Sequence, residues 1–141
     1  MLILIWKKFL FNDKTVNIHL WDLSGQKNLE QNIETYFKQS NAIILVYDVT
    51  NESSFIAIND WMKKIKKNGN TNPIIVLVGQ KCDLNERIIS GERRRELANE
   101  LGLQYFEILA KTGQNIEELF NYLIPQCIFA ANACNPDLGC K

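Results

Sequence analysis

The chain has 141 residues, 46% of them apolar. That is the size of a single domain with a sizeable core, and it excludes global disorder. Lysine plus arginine and aspartate plus glutamate stand at 16 each. The zero formal charge excludes the basic footprint of a nucleic-acid binder and strong attraction to an acidic membrane surface. Cys82, Cys127, Cys134 and Cys140 form no C-x-x-C pair, and His19 is the only histidine. Neither a zinc site nor a disulfide framework is expected, and free thiols in the cytoplasm are. No apolar run approaches the roughly 18 residues of a membrane span. The apolar start Leu2–Trp6 is followed by Lys7 and Lys8, the reverse of a secretory signal.

In chain order, residues 2–11 and 15–21 read as strands joined by the turn Asn12-Asp13-Lys14. In the second, Val16, Ile18 and Leu20 alternate with polar residues, the period of a half-covered strand. A weaker helical pattern spans roughly 28–38. Residues 42–47 and 74–79 are continuous apolar runs, typical of central parallel strands covered on both faces. Between them, Phe55, Ile58, Met62 and Ile65 recur at helical steps within 53–68, and Gly69 stands where a C-terminal cap would. A helix over 91–101 has Ser90 as its N-cap and stops at Gly102. A strand of weaker pattern follows over 104–109. The last helix, 116–131, opens on Asn115-x-x-Glu118, a capping-box pattern, and Pro125 is expected to kink it or end it early. Strands alternating with helices define a doubly wound α/β domain, here 1–131 with a short tail over 132–141. In such folds ligands sit beyond the carboxyl ends of the strands.

Three of those ends carry polar loops. In Trp21-Asp22-Leu23-Ser24-Gly25-Gln26, an aspartate leaving a strand can serve Mg²⁺, commonly through water. The glycine lets a backbone N–H approach a phosphate, and the glutamine can orient an attacking water. In Gly79-Gln80-Lys81-Cys82-Asp83-Leu84, a carboxylate can accept from N1–H and the exocyclic amine of guanine, a donor pair adenine lacks. The lysine stem can lie along a base face. In Leu109-Ala110-Lys111-Thr112-Gly113, a backbone N–H can meet a base carbonyl while the lysine flanks the ring. Each loop taken alone reads equally well as an ordinary charged turn. Their order and their places at the ends of successive strands give them weight together.

The chain resembles a Rab protein of the Ras superfamily over roughly residues 7–130. Trp21 to Gln26 stands where Rab proteins carry Trp-Asp-Thr-Ala-Gly-Gln. Leu45-Val-Tyr-Asp-Val-Thr50 and Ser54-Phe55 match Leu-Val-Tyr-Asp-Ile-Thr and Ser-Phe. Tyr36-Phe37 matches the upstream Tyr-Tyr pair. Val78 to Leu84 resembles Val-Gly-Asn-Lys-x-Asp-Leu, and Ala110-Lys111-Thr112-Gly113-x-Asn115-Ile116 resembles the family's last base-binding loop and the helix after it.

The resemblance implies a three-layer P-loop NTPase-like (Ras-like) α/β fold with a mostly parallel sheet and helices on both faces. It implies GTP/GDP and Mg²⁺ as ligands, with Asp22 serving Mg²⁺, Gly25 the γ-phosphate and Gln26 the catalytic water. Gln80, Lys81, Asp83, Ala110 and Lys111 would form the base pocket. It further implies effector and regulator proteins as partners in vesicle traffic, and a peripheral membrane location only if Cys140 is lipidated. The departures lie in the phosphate half. The seven glycines are followed by Gln, Asn, Gln, Glu, Leu, Gln and Cys, so the Gly-Lys of a phosphate cradle is absent. The first threonine, Thr15, falls inside the hairpin, which leaves the first switch without its threonine. The family's first strand and first helix have no counterpart here. In the family that strand lies between the second hairpin strand and the Ala42–Tyr47 strand. The chain is therefore expected to keep two unpaired sheet edges or to re-pair. Gln80 for asparagine, Leu109 for serine and Lys27-Asn28-Leu29 for Glu-Arg-Phe are lesser changes. Two activities follow: a weak or incomplete GTP/GDP switch, or a non-hydrolysing pseudo-GTPase that works as an interaction module.

Overall fold

A computed structural model describes residues 2–11, 13–23, 33–68 and 72–134. Strands β1 (Leu2–Phe11) and β2 (Lys14–Leu23) form an antiparallel hairpin with register from Leu2 opposite Leu23 to Phe11 opposite Lys14. Asp13 turns the chain at φ 59°, a left-handed conformation that short polar side chains tolerate better than most. On β2, Val16, Ile18 and Leu20 are half-buried while Thr15, Asn17, His19 and Trp21 are exposed. The alternation read from the sequence therefore sets the faces of this strand.

Helix α1 (Ile33–Gln39) follows, the described part of the 28–38 pattern. Then come β3 (Ala42–Asp48), α2 (Glu52–Asn68), β4 (Ile74–Gln80), α3 (Gly91–Leu101), β5 (Gln104–Glu107) and α4 (Ile116–Cys134). β3, β4 and β5 form a parallel sheet in that order, with Leu45 opposite Leu77 and Val78 opposite Phe106. β4 is the covered strand: Val76, Leu77 and Val78 are fully buried. Leu77 faces a core built from α1, α2 and α3 through Phe37, Phe55, Ile58, Met62, Leu97 and Ala98. Val76 and Val78 face the other way, onto Phe106, Leu119 and Leu123. Two cores on opposite faces of one short sheet make the three layers.

The helix ends follow local chemistry. Ser90 accepts from the Arg93 N–H and caps α3, and Gly102 ends it at φ 67°, the left-handed C-cap that glycine permits. Asn51 accepts from the Ser54 N–H at the start of α2. The Gly69 cap, like residues 24–32, lies outside the described residues.

Three expectations are corrected and one is met. β3 is not central: among the described residues only β4 pairs with it, and Val46 is 46% exposed although Ala42 and Ile44 on the same face pack against the α4-side core. Of the two outcomes expected for the sheet edges, the first holds: among the described residues the two sheets stay unpaired with each other, and β2 leans on the core through Leu23 and on α1 through Trp21 against Tyr36, ring centroids 5.1 Å apart. β5 stops at Glu107, and Leu109 makes only an isolated bridge to Gln114. Finally, α4 runs through Pro125 to Cys134. A proline in a helix removes one i→i−4 bond at a cost of ~3 kcal/mol, and the burial of Leu119, Leu123 and Ile124 on that helix offsets it.

Candidate functional site

The site grows from the carboxyl ends of β3, β4 and β5. Parallel pairing sets Asp48 opposite Gln80 and Gly79 opposite Glu107. Val49 N–H donates to Gln80 O at 3.1 Å and Ile108 N–H to Gly79 O at 2.9 Å, so the chain leaves all three strands at one level. Beyond that level lie the two loops expected to read a base. Gln80, Lys81, Asp83, Ala110 and Lys111 line one shallow hollow of about 180 Å³, with Leu84 and Leu109 as its apolar wall. The first loop starts with Lys81 at φ 63° and tightens through Leu84 N–H to Lys81 O. The second is closed by Thr112 and Gly113 N–H groups on Leu109 O, with Gly113 at φ 79°.

The other predicted residues fall elsewhere. Asp22 is exposed on β2, in the separate two-stranded sheet. Gly25, Gln26 and Cys140 lie outside the described residues. No cluster of three or more metal-ligating side chains occurs among the described residues. A larger hollow, about 430 Å³, opens at the opposite end of the sheet, where Met62, Pro73, Leu101 and Leu103 line it. Its lining brings only Lys66 and Asn72 as polar side chains, so the smaller hollow carries the chemistry.

Three residues that the motif reading did not single out organise this region. Asp48 pairs with Lys81 at 2.5 Å and accepts from the Thr50 N–H at 2.9 Å and hydroxyl at 2.7 Å. Burial works to raise its carboxyl, but the Lys81 ammonium and the two Thr50 donors outweigh it and hold the group below the usual carboxylate range. Arg87 donates to Cys82 O and to both oxygens of Glu107. Glu107 also receives Arg94 and the Tyr105 hydroxyl. Its own carbonyl accepts from the Asn115 side-chain amide at 2.8 Å. Asn115 stands at φ 61°, and its side-chain amide anchors the start of α4 to the end of β5. An aspartate at the carboxyl end of a parallel strand was the one signal in the sequence for Asp48; Arg87 and Glu107, twenty residues apart, left none.

Behind the hollow, hydroxyls pass across β4. Tyr47 donates to Tyr105 at 3.2 Å, and Tyr105 to Glu107 at 3.1 Å. A Cβ at Gly79 would stand 2.6 Å from the Tyr105 hydroxyl and 3.2 Å from that of Tyr47; the residue is glycine so that this chain can cross. Burial and the hydrogen bond to Tyr105 push the Tyr47 phenol far above its ordinary value. Burial also raises the Cys82 thiol, against the pull of Arg87 and Arg94.

A parallel sheet between two helical layers, with lysine- and aspartate-bearing loops at its carboxyl end, defines a three-layer α/β domain as the class. The sequence model of the Ras family matches residues 4–128, and the chain belongs to that family. Its relatives are Rab proteins. Ras-related protein Rab-3A of Homo sapiens is 40% identical over 114 residues, covering 80% of this chain and 52% of that protein. Ras-related protein Rab-3 of Caenorhabditis elegans is 41% identical over 113 residues, 79% and 52% of the two chains. Ras-related protein Rab-3C of Bos taurus is 39% identical over 114 residues, 80% and 50%. The chain spans about half the length of these relatives. No helix among the described residues is long and apolar enough to cross a membrane.

Proposed function

We propose that this chain is a Rab-like guanine-nucleotide binder whose 141 residues recognise the base well and the phosphates poorly. The observation that carries the reading is the convergence of Gln80, Lys81, Asp83, Ala110 and Lys111 on one hollow. Asp83 accepts the guanine N1–H and exocyclic amine. The stems of Lys81 and Lys111 lie along the ring, and a backbone N–H at Ala110 meets the base carbonyl. Gln80 bridges the loops in the place of an asparagine. An exposed carboxylate beside an apolar wall of Leu84 and Leu109 suits a flat base with a polar edge.

On the phosphate side, Asp22 is proposed for Mg²⁺, Gly25 for the γ-phosphate and Gln26 for orienting water. When bound, the metal would supply charge stabilisation to the phosphoryl group. Most of that stabilisation in phosphoryl transfer also needs the Gly-Lys cradle, which these residues do not contain. The same lack favours the second reading, an interaction module that does not hydrolyse GTP. By likeness to Rab proteins, the setting is vesicle traffic. The partners are effectors and regulators of the Rab cycle, and the location is cytoplasmic, or peripheral on vesicles only if Cys140 carries a lipid.

Titration with fluorescent GDP, with ADP as competitor, tests the reading. Saturable binding that GDP, but not ADP, displaces is expected, with no GTP turnover above the buffer rate. Equal displacement by ADP would remove the guanine assignment, and submicromolar GDP affinity would remove the claim of a weak phosphate half.

A further inference from the structure

Resting on that reading, we propose that Arg87 and Glu107 are positioning residues that set the guanine selectivity of the hollow by fixing Asp83. The Arg87 guanidinium donates at 2.8 Å to Cys82 O, the carbonyl of the peptide that joins Cys82 to Asp83. Gripping that peptide fixes its plane, and with it the direction in which the Asp83 side chain leaves the backbone. The same guanidinium is held by Glu107, Nη1 to Oε1 at 3.2 Å and Nη2 to Oε2 at 3.3 Å, a two-pronged pairing that fixes orientation as well as distance. Glu107 is in turn anchored on β5. Arg94 and the Tyr105 hydroxyl hold its carboxylate, and its carbonyl holds Asn115 at the end of the loop that carries Ala110 and Lys111. Glu107 thus ties both base-reading loops to a single point of the sheet, the first through its carboxylate and Arg87, the second through its main-chain carbonyl. Glu107 and Arg94 keep only 24% of their side-chain surface exposed and Arg87 37%, so the pairing is less screened than a surface ion pair.

Asp83 accepts two hydrogen bonds from guanine but only one from hypoxanthine, which lacks the exocyclic amine. The ratio of GDP to IDP affinity therefore reads how well Asp83 is aimed, separately from how well the chain holds a nucleotide. Equilibrium titrations with GDP and IDP would be run on the full chain and on Arg87→Gln, Arg87→Lys, Glu107→Gln and the Arg87→Gln/Glu107→Gln double variant, with thermal melts alongside. Arg93→Gln, which breaks the Glu52–Arg93 pair away from the hollow, is the control.

The wild-type chain is expected to prefer GDP over IDP about tenfold, the loss of one good hydrogen bond to a charged acceptor. Arg87→Gln and Glu107→Gln each bring the ratio to about two or less, mainly by weakening GDP. The double variant adds nothing further, because the pair acts as one unit. Arg87→Lys keeps the charge and loses the fork, and it too lowers the ratio. Arg93→Gln leaves the ratio alone. If GDP and IDP weaken by the same factor, in step with the melting temperature, the pair is a structural brace and the proposal falls. Should Arg87→Gln not fold, Arg87→Lys and Glu107→Gln decide by the same ratio. A wild-type chain with no preference for GDP over IDP overturns the guanine reading itself, and this proposal with it.

Discussion

β1 and β2 carry ten residues each in one continuous ladder, while β3, β4 and β5 carry seven, seven and four. Among the described side chains the buried core nevertheless belongs to the shorter strands. None of the described side chains of the hairpin is buried, whereas β4 hides three in succession. Backbone hydrogen bonds exchange water for protein at a small net gain. Apolar burial gains ~25 cal/mol per Å². The described side chains of β2 are half-covered on one face and exposed on the other, and two-stranded ribbons are marginal alone. The contrast teaches that length of pairing and contribution to stability are separate quantities here, and that the candidate site was built on the half with the core.

The largest effect that would sharpen this comparison is at Leu77. Leu77→Ala empties a site at 0% exposure and is expected to cost ~2–5 kcal/mol in urea unfolding; a loss under ~1 kcal/mol would mean that the sheet core does not dominate. Next comes Gly79→Ala, whose new methyl meets the Tyr105 hydroxyl. Tyr105 must shift, breaking the hydroxyl chain to Glu107, and ~1–3 kcal/mol is expected.

Tyr47 gives a pH signature. Its folded pKa lies above the unfolded value because burial and Tyr105 disfavour the phenolate. The neutral phenol's contribution is therefore complete below about pH 10 and is lost as pH rises above it, by up to ~1.4 kcal/mol per pH unit. Tyr47→Phe should lose ~1 kcal/mol at neutral pH and show a shallower alkaline decline; equal slopes would place the phenol in water. The smallest effect is expected on the hairpin. Ile18→Ser should cost under ~1 kcal/mol, and the amides of β2 should exchange hydrogen faster than those of β4. A cost near that of Leu77→Ala would break the comparison.

Much of this architecture was legible in the sequence because local rules agree with the global fold. The apolar run at 74–79 reads as a doubly covered strand, which it is, and Ser90 and Gly102 end their helix with chemistry contained in their own residues. The loops around Asp83 and Lys111 were legible as a pair because two successive strands deliver them to one place. What stayed hidden depended on neighbours far along the chain. The run at 42–47 looks as central as β4, and only the sheet order shows that Val46 faces out. Pro125 reads as a kink or an early stop until the packing of Leu119, Leu123 and Ile124 is weighed against one lost hydrogen bond. Asn115 has the spacing of a capping box, and nothing in that spacing shows that its amide donates to the Glu107 carbonyl. Arg87, Arg94 and Glu107 look like solvated charges until the sheet brings them together.

The outer edge of β3 has a practical consequence. Ala42 to Tyr47 holds no charge and no proline, and among the described residues its far side has no strand partner. Edges of this kind meet other edges, in a step that needs two molecules. For these 141 residues in a tube, storage lifetime should therefore shorten with concentration.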